Sequence, residues 1–472
     1  MAASPPKPIV TSWDVFDTLV ARFTPNPHAV FQLIEAERNA PGFVARRMDA
    51  QAALDRAGQP YVLHDIYRRM AAGDLPIAEA RALLRQEVET ERSLLFPIRR
   101  NVARVEPPDL IISDMYLAPE TIAGFLFDIC DLHTHLPIVR SNWGKHTGTI
   151  WPLVLGSYVI RRHVGDNPAS DVKVPASFGI ACELVQDSQP TAWEAKLQEL
   201  GLRQLALIQR EVRLRCIPPD ATPFHAATIG PYASLLICFS LHLRHRFGTD
   251  AEFAFLSRSA DELARVFAGL FPETPTRSLD ISRRLTLDAK LDPIFTAGIT
   301  PATVVVDMVG TGRSFFRFAE RNGGPGRALI LFAFLELLLN PAERAVAERR
   351  AAEGRLDHVC RIGGGGLTHW RLEHLLQSHY PPVSLVALDP RSGGTVRRFG
   401  ATELDQTEAR LVGWKSASVT ELVRTIRRRG LADPGPAPVV AVMEQAMRTI
   451  MADEAITAPF TSFLAREKMD WG

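Results

Sequence analysis

Ile9-Val-Thr-Ser-Trp13-Asp14-Val-Phe16-Asp17-Thr18-Leu19 runs an apolar, β-branched stretch directly into an acid, then into a second acid and a threonine. A short apolar run that ends in polar residues reads as a buried strand whose carboxyl end is the place where open α/β sheets bind ligands. The pattern repeats outward. Leu110-Ile-Ile-Ser113-Asp114 is a second such run, Leu136-Pro-Ile-Val139 a third, and Tyr158 to Val164 a fourth that ends in Gly165-Asp166. Strands of this kind alternating with helical stretches predict a parallel sheet covered on both faces. Between the first two, Pro27 to Pro97 is rich in Ala, Arg, Glu and Leu at helical spacing. This predicts a helical cap inserted over the sheet's ligand-binding edge, because a connection that long without structure of its own is unusual.

At ~100 to 200 residues per domain, 472 residues predict two to four units. The pattern divides them into an α/β domain over 1–190 with the cap at 27–97, a helical bridge over 191–229, a second α/β domain over 230–395 and a helical C-terminal region over 396–472. In the second domain Leu235 to Arg246 reads as an amphipathic helix, Glu252 to Leu256 and Thr303 to Val306 as strands, and Ala328 to Phe334 as a further strand.

Apolar residues make up 46% of the chain and charged residues 23%, as in ordinary globular proteins, so each unit can bury a core. A formal charge of +1 removes any global argument for nucleic-acid or anionic-membrane binding. Five cysteines are scattered without CxxC spacing, which speaks against a disulfide framework or zinc knuckle and for a reducing, cytoplasmic setting. The first residues lack a secretory pattern, and the apolar run from Ala328 to Leu339 contains Glu336 and is shorter than the ~18 to 20 residues that cross a bilayer. No membrane span is expected.

Four separated segments carry complementary chemistry. Asp14 closes a strand and is followed by Thr18; Ser113 closes the next; Lys145 sits in Ser141-Asn-Trp-Gly144-Lys145; and Gly165-Asp166-Asn167 is followed by Asp171. Phosphoryl transfer uses such a set: a carboxylate to attack phosphorus, carboxylates to hold Mg2+, a hydroxyl to cradle the oxygens and a lysine to offset charge. In this order and setting the segments resemble the haloacid dehalogenase (HAD) superfamily, over about residues 9 to 190 and including the helical cap. The resemblance implies a Rossmann-like fold with Asp14 as nucleophile, Ser113 as phosphate-oxygen donor, Lys145 as charge balancer, and Asp166 and Asp171 as metal-binding carboxylates beside the Phe16 carbonyl. Phe16 departs from the phosphatase pattern, which places an acid two residues after the nucleophile. Without that proton donor the leaving group departs as a poor alkoxide, a loss of roughly 10²- to 10⁴-fold; Asp17 and Asp114 are the substitutes at hand. An aromatic at this position also occurs in metal-free dehalogenases, but Asp166 beside Asp14 favours a cation between them. The variant at 14–19 with Ser113-Asp-Met-Tyr-Leu117 looks most like large bacterial HAD proteins of surface-polysaccharide synthesis, as do Phe255-Leu-Ser257-Arg258, Ile281-Ser282-Arg283 and Leu372-Glu373-His374-Leu375-Leu376.

A second constellation, Val304-Val-Val-Asp307-Met308-Val-Gly310-Thr311-Gly312-Arg313-Ser314, joins a strand, an acid and a Gly/Thr/Ser turn opening a helix. Amides at such a helix start bind phosphate. It resembles the ribose-phosphate loop of type I phosphoribosyltransferases, with Met308 in place of their second acid and a shorter turn. A glycine turn made for close packing alone reads equally from these residues. Ser257-Arg258-Ser259 follows another strand as a pyrophosphate loop would, and Arg283 supplies a cation whose fork suits phosphate. His133, His135 and His163 read as loop or surface histidines, Gly363 to Gly366 as a turn, and Arg427-Arg-Arg429 as a helix C-terminus favoured by its dipole.

The combination points to two-step ribofuranosyl transfer: phosphoribosyl passes from phosphoribosyl pyrophosphate to an acceptor, and the HAD domain then removes the 5-phosphate. Polysaccharide-synthesis glycosyltransferases are the partners this implies. Two alternatives stand beside it, a HAD hydrolase of a sugar phosphate with a binding-only C-terminal half, and a non-catalytic scaffold.

Overall fold

The computed structural model describes residues 6–73, 75–133, 144–257, 259–280, 289–296, 299–323, 327–333, 340–361, 374–378, 383–388, 395–399 and 404–460. Contacts divide the chain into two compact units, Met1–Thr191 with Arg213–Pro219, and Ala192–Val212 with Asp220–Gly472. Each is α/β and built on a parallel sheet.

The first unit contains β1 (Ile9–Trp13), β2 (Val20–Arg22), β3 (Leu95–Pro97), β4 (Leu110–Ile111), β5 (Val159–Gly165) and β6 (Cys182–Leu184). Among the described residues the sheet order is β4-β1-β5-β6 with every pair parallel. The opening stretch is thus a central strand, which explains why even its Thr11 and Ser12 are buried. Asp109 fastens β4 to β1, its carboxylate accepting the Thr11 amide and the Trp13 indole N–H, each at 2.9 Å. The ladder continues past the strand ends, Asp14 N–H donating to Val164 O and Ile112 N–H to Trp13 O, both at 2.8 Å. Asp14, Ser113 and Asp166 therefore emerge at one sheet edge. The expected strand at 136–139 lies outside the described residues.

Strands β2 and β3 pair antiparallel, Ala21 opposite Phe96. Between them the chain leaves the sheet to form α1 (Ala29–Arg38), α2 (Phe43–Ala57), α3 (Leu63–Ala71) and α4 (Ile77–Leu94), the helical insert that the sequence predicts. Phe31, Ile34, Phe43, Ile66 and Leu83 of the insert share one core with Trp13, Val15 and Leu19. Inside it lies Arg47, fully buried, gripped by two 2.8 Å bonds to Glu87 and stacked 4.5 Å from the Phe31 ring.

The second unit contains β7 (Glu252–Leu256), β8 (Thr276–Leu279), β9 (Thr303–Gly310), β10 (Arg327–Ala333) and β11 (Leu356–Arg361), ordered β11-β10-β9-β7-β8 and all parallel. In chain order this is 2-1-3-4-5, a doubly wound arrangement whose ligand crevice falls where the order reverses, between β7 and β9. The helix Ala233–Phe247 is buried on nearly every side rather than amphipathic. The helices Asp261–Leu270 and Pro436–Ala452 pack against it, which accounts for the difference. With Pro223–Ala227 and Thr228–Tyr232 it makes a stretch long and apolar enough to cross a bilayer, and its most apolar 18-residue window is 83% buried within the protein. The tail helices Gln406–Arg429 and Pro436–Ala452 belong to this unit. β12 (Val383–Leu388) and β13 (Thr395–Phe399) pair antiparallel across the boundary expected at 395. Arg428 and Arg429 close on the fully buried Glu211 at 2.6 and 2.8 Å, so that cluster serves the interior as well as the helix end.

Candidate functional site

At the edge of the first sheet, ligand atoms of Asp14, Asp166 and Asp171 lie within 4.8 Å of one another. β1 delivers Asp14, whose carboxylate accepts the Thr18 hydroxyl at 3.1 Å through a tight turn in which Leu19 and Val20 N–H both return to Val15 O. Asp17 holds that turn with φ 59°. This left-handed conformation, for which glycine is the default, is tolerated by Asp better than by most side chains.

β5 delivers Asp166 and, one turn later, Asp171. Gly165 makes this geometry feasible, since a Cβ there would lie 2.3 Å from Asp171 Cγ. Asp171 has both oxygens engaged: Oδ2 accepts the Asn167 amide at 2.9 Å, and Oδ1 meets Lys145 Nζ at 2.6 Å and His163 Nε2 at 3.2 Å. Lys145, buried, also bonds Asp14. Asp171 is thus the lysine's second counter-ion, beside Asp14 and Asp166 in the cluster of three acids. The Asp166 carboxylate accepts no hydrogen bond from the described residues.

The charges are out of balance. Three acids, Asp14, Asp166 and Asp171, cluster where one lysine pairs with two of them, and Asp17 adds its charge to that felt by Asp166. Burial raises Asp14 to about 7, Lys145 opposing and Asp171 adding to the rise. Asp166 is likewise raised to about 7, by burial and then by Asp14, Asp17 and Asp171. Burial works against Asp171 too, yet His163 and Lys145 hold it well below the usual carboxylate range. A cluster that resists carrying its full negative charge, with oxygen donors only, fits a hard divalent cation.

Ser113, buried at the next strand end, accepts the Met115 amide at 3.1 Å, which leaves its own proton to donate. Asp114 does other work than the expected proton donation. Its oxygens accept the amides of Gly144, Lys145 and His146 at 3.1, 2.7 and 2.8 Å and the His146 ring at 2.7 Å, anchoring the loop that carries the lysine. Although burial opposes it, these donors hold Asp114 below its ordinary value. A fully occupied carboxylate stabilised as an anion does not give up a proton. Phe16 is half-buried, its ring 4.7 Å from the Arg22 guanidinium, which pairs with Glu91 at 2.7 Å.

His163 is a residue that sequence reasoning set aside. It is fully buried, hydrogen-bonded to Ser12 Oγ at 2.8 Å and edge-on to Trp151 at 5.0 Å. On β5 it stands in register with Ser12, a pairing across 151 residues that the sequence does not announce. His133 is exposed, as expected, and His135 lies outside the described residues.

In the second unit, Ser259 Oγ donates to Asp307 Oδ1 at 2.7 Å across the β7–β9 switch point. Burial raises Asp307 to about 6, opposed by Ser259 and the Met308 and Val309 amides. A Cβ on Gly310 would lie 3.3 Å from Asp307 Oδ2, and Gly312, at φ 73°, opens the helix Arg313–Arg321, in whose first turn Ser314 falls. Thr311 Oγ1 accepts the Arg313 amide at 3.3 Å. Met308 is fully buried, so strand alternation turns position 308 into the core, where an acid would be an isolated charge. Ser257 is tied by its amide to Leu279 O at 2.8 Å. Arg258, Arg283 and Gly363 to Gly366 lie outside the described residues.

No protein-family model matches the chain, and no curated protein matches it. The functional reading rests on the site itself.

Proposed function

We propose that the first unit is a magnesium-dependent phosphohydrolase of HAD type with Asp14 as its nucleophile. The observation that carries the reading is the convergence of Asp14, Asp166 and Asp171 around a buried lysine at the sheet's carboxyl edge. Asp14 and Asp166 would hold Mg2+, joined by the Phe16 carbonyl. Such an ion would offset the charge of the phosphate oxygens and of the two carboxylates. Asp14 forms a bond to phosphorus as the bond to the leaving oxygen breaks; water later cleaves the acyl phosphate and regenerates the carboxylate. Ser113 donates to a phosphate oxygen, and Lys145 balances Asp14. With Asp114 committed to its loop, Asp17 is the proton donor of the two proposed.

The Asp307 turn at the switch point supports a phosphate-binding second unit, and the pair of units a two-step ribofuranosyl transfer for surface polysaccharide. Tethering would raise the second site's effective concentration toward the millimolar range by linker arithmetic. The buried Met308 favours a second reading, in which this half only binds a sugar phosphate. Phosphate release from ribose 5-phosphate compounds with Mg2+, abolished in Asp14→Asn, tests the hydrolase; undiminished release in that variant would displace Asp14 as nucleophile. Pyrophosphate release from phosphoribosyl pyrophosphate with an acceptor, lost in Asp307→Ala, separates transfer from binding.

A further inference from the structure

We propose that His163 is a positioning residue for the nucleophile, acting through Asp171 and Lys145. The inference rests on the phosphohydrolase reading. Ser12 and His163 are register partners on the parallel strands β1 and β5, so their side chains stand side by side on one face of the sheet. Ser12 is two residues before Asp14, and His163 two before Gly165. A continuous chain of contacts follows: Ser12 Oγ to His163 Nδ1 at 2.8 Å, His163 Nε2 to Asp171 Oδ1 at 3.2 Å, Asp171 Oδ1 to Lys145 Nζ at 2.6 Å, and Lys145 to Asp14.

Direction along the chain follows from valence. Ionised Asp171 only accepts, so Nε2 carries the ring proton; Nδ1 of the neutral ring then accepts, and the Ser12 hydroxyl donates. His163 thereby fixes the Asp171 oxygen that holds Lys145. The ring is itself clamped by Trp151, 5.0 Å away and 72° from its plane. Without the Nε2–H, Asp171 keeps the Asn167 amide on Oδ2 but loses the second donor on the oxygen that faces the lysine. Lys145 then has a mobile counter-ion on one side, and its hold on Asp14 loosens.

His163→Phe keeps an aromatic ring against Trp151 and removes both hydrogen bonds, and His163→Gln can restore the donor toward Asp171. Two readouts apply. The first is hydrolysis of a phosphate ester such as p-nitrophenyl phosphate with Mg2+, where partners one contact removed from a reacting group are worth about 10- to 100-fold. The expected result is a fall of that size in kcat for His163→Phe with KM little changed, and partial recovery in His163→Gln. The second needs neither metal nor turnover: acetic anhydride labelling of Lys145, read by mass spectrometry, should rise in His163→Phe and stay near the native level in His163→Gln. Ser12→Ala, a milder change, should move both readouts the same way if His163→Phe fails to fold. Unchanged Lys145 labelling with native kcat in the folded variants would overturn the inference. Hydrolysis that survives in Asp14→Asn would instead displace Asp14 as the nucleophile of the phosphohydrolase reading, and the labelling result would still decide whether His163 holds Lys145 in place.

Discussion

Gly165 stands where β5 ends and Asp171 folds back against the backbone, and the space between them is smaller than a methyl group. Gly165→Ala is therefore expected to cost about 1–3 kcal/mol, the range for overpacking, and to displace Asp171 from Lys145. Denaturant unfolding would show the first effect and phosphate release the second. The acids make a prediction of their own. Asp14 and Asp166 are raised from 3.8 to about 7, so between those values the folded, metal-free protein binds more protons than the unfolded chain. Its stability should fall as pH rises through that window, and a bound cation should oppose the fall. The thermal shift on adding Mg2+ is thus expected to be larger at about pH 8 than at about pH 5.5, and Asp166→Asn should remove most of it. Equal shifts at both pH values in scanning fluorimetry would argue against the cation. At this scale the sequence was informative where a residue type is scarce: an acid closing an apolar strand, or a glycine before an acid. It was silent on Asp114, because an anchoring carboxylate and a proton donor are written with the same letter, and on His163, whose partners lie 151 and eight residues away.

The helical insert shows how an element's interior differs from its pattern. Helical spacing identified the insert, but nothing in the spacing of α2 and α4 announced that Arg47 and Glu87 would meet in its core. Glu87 also accepts the Tyr67 hydroxyl at 2.7 Å, so one carboxylate serves an arginine and a phenol. Glu87→Ala would leave Arg47 buried and unpaired, a loss of about 3–5 kcal/mol, measurable as a lowered denaturation midpoint. A swap of both residues for apolar ones of similar volume should recover much of it. In the second unit, the strand signals at β7, β9 and β10 came through because their apolar runs are continuous, as buried parallel strands require. The helix Ala233–Phe247 misled because Arg244 and Arg246 near its end imitate a polar face.

At the scale of the whole chain, the presence of parallel α/β sheets was legible from strand alternation, whereas the path of the chain between the two units was not. The helix Arg203–Cys216 begins among residues of the second unit and ends among those of the first. There Leu214 packs on Ala21, Phe96 and Ile98, the Arg215 guanidinium sits 5.4 Å from the Phe96 ring, and Arg213 donates to Asp187 O at 2.7 Å. Sequence periodicity carries no record of which core a helical turn will join. Leu214→Ala in the full chain should destabilise the first unit by about 2–5 kcal/mol, seen as earlier loss of Asp14-dependent hydrolysis on heating. The threading also limits how such a gene can be rearranged. A recombination joint placed after Thr191 would part the first half from seven residues of its own unit, Leu214 of its core among them, so the two halves do not shuffle as cassettes; a joint after Pro219 retains those seven and carries along a segment, 192–212, that belongs to the other half.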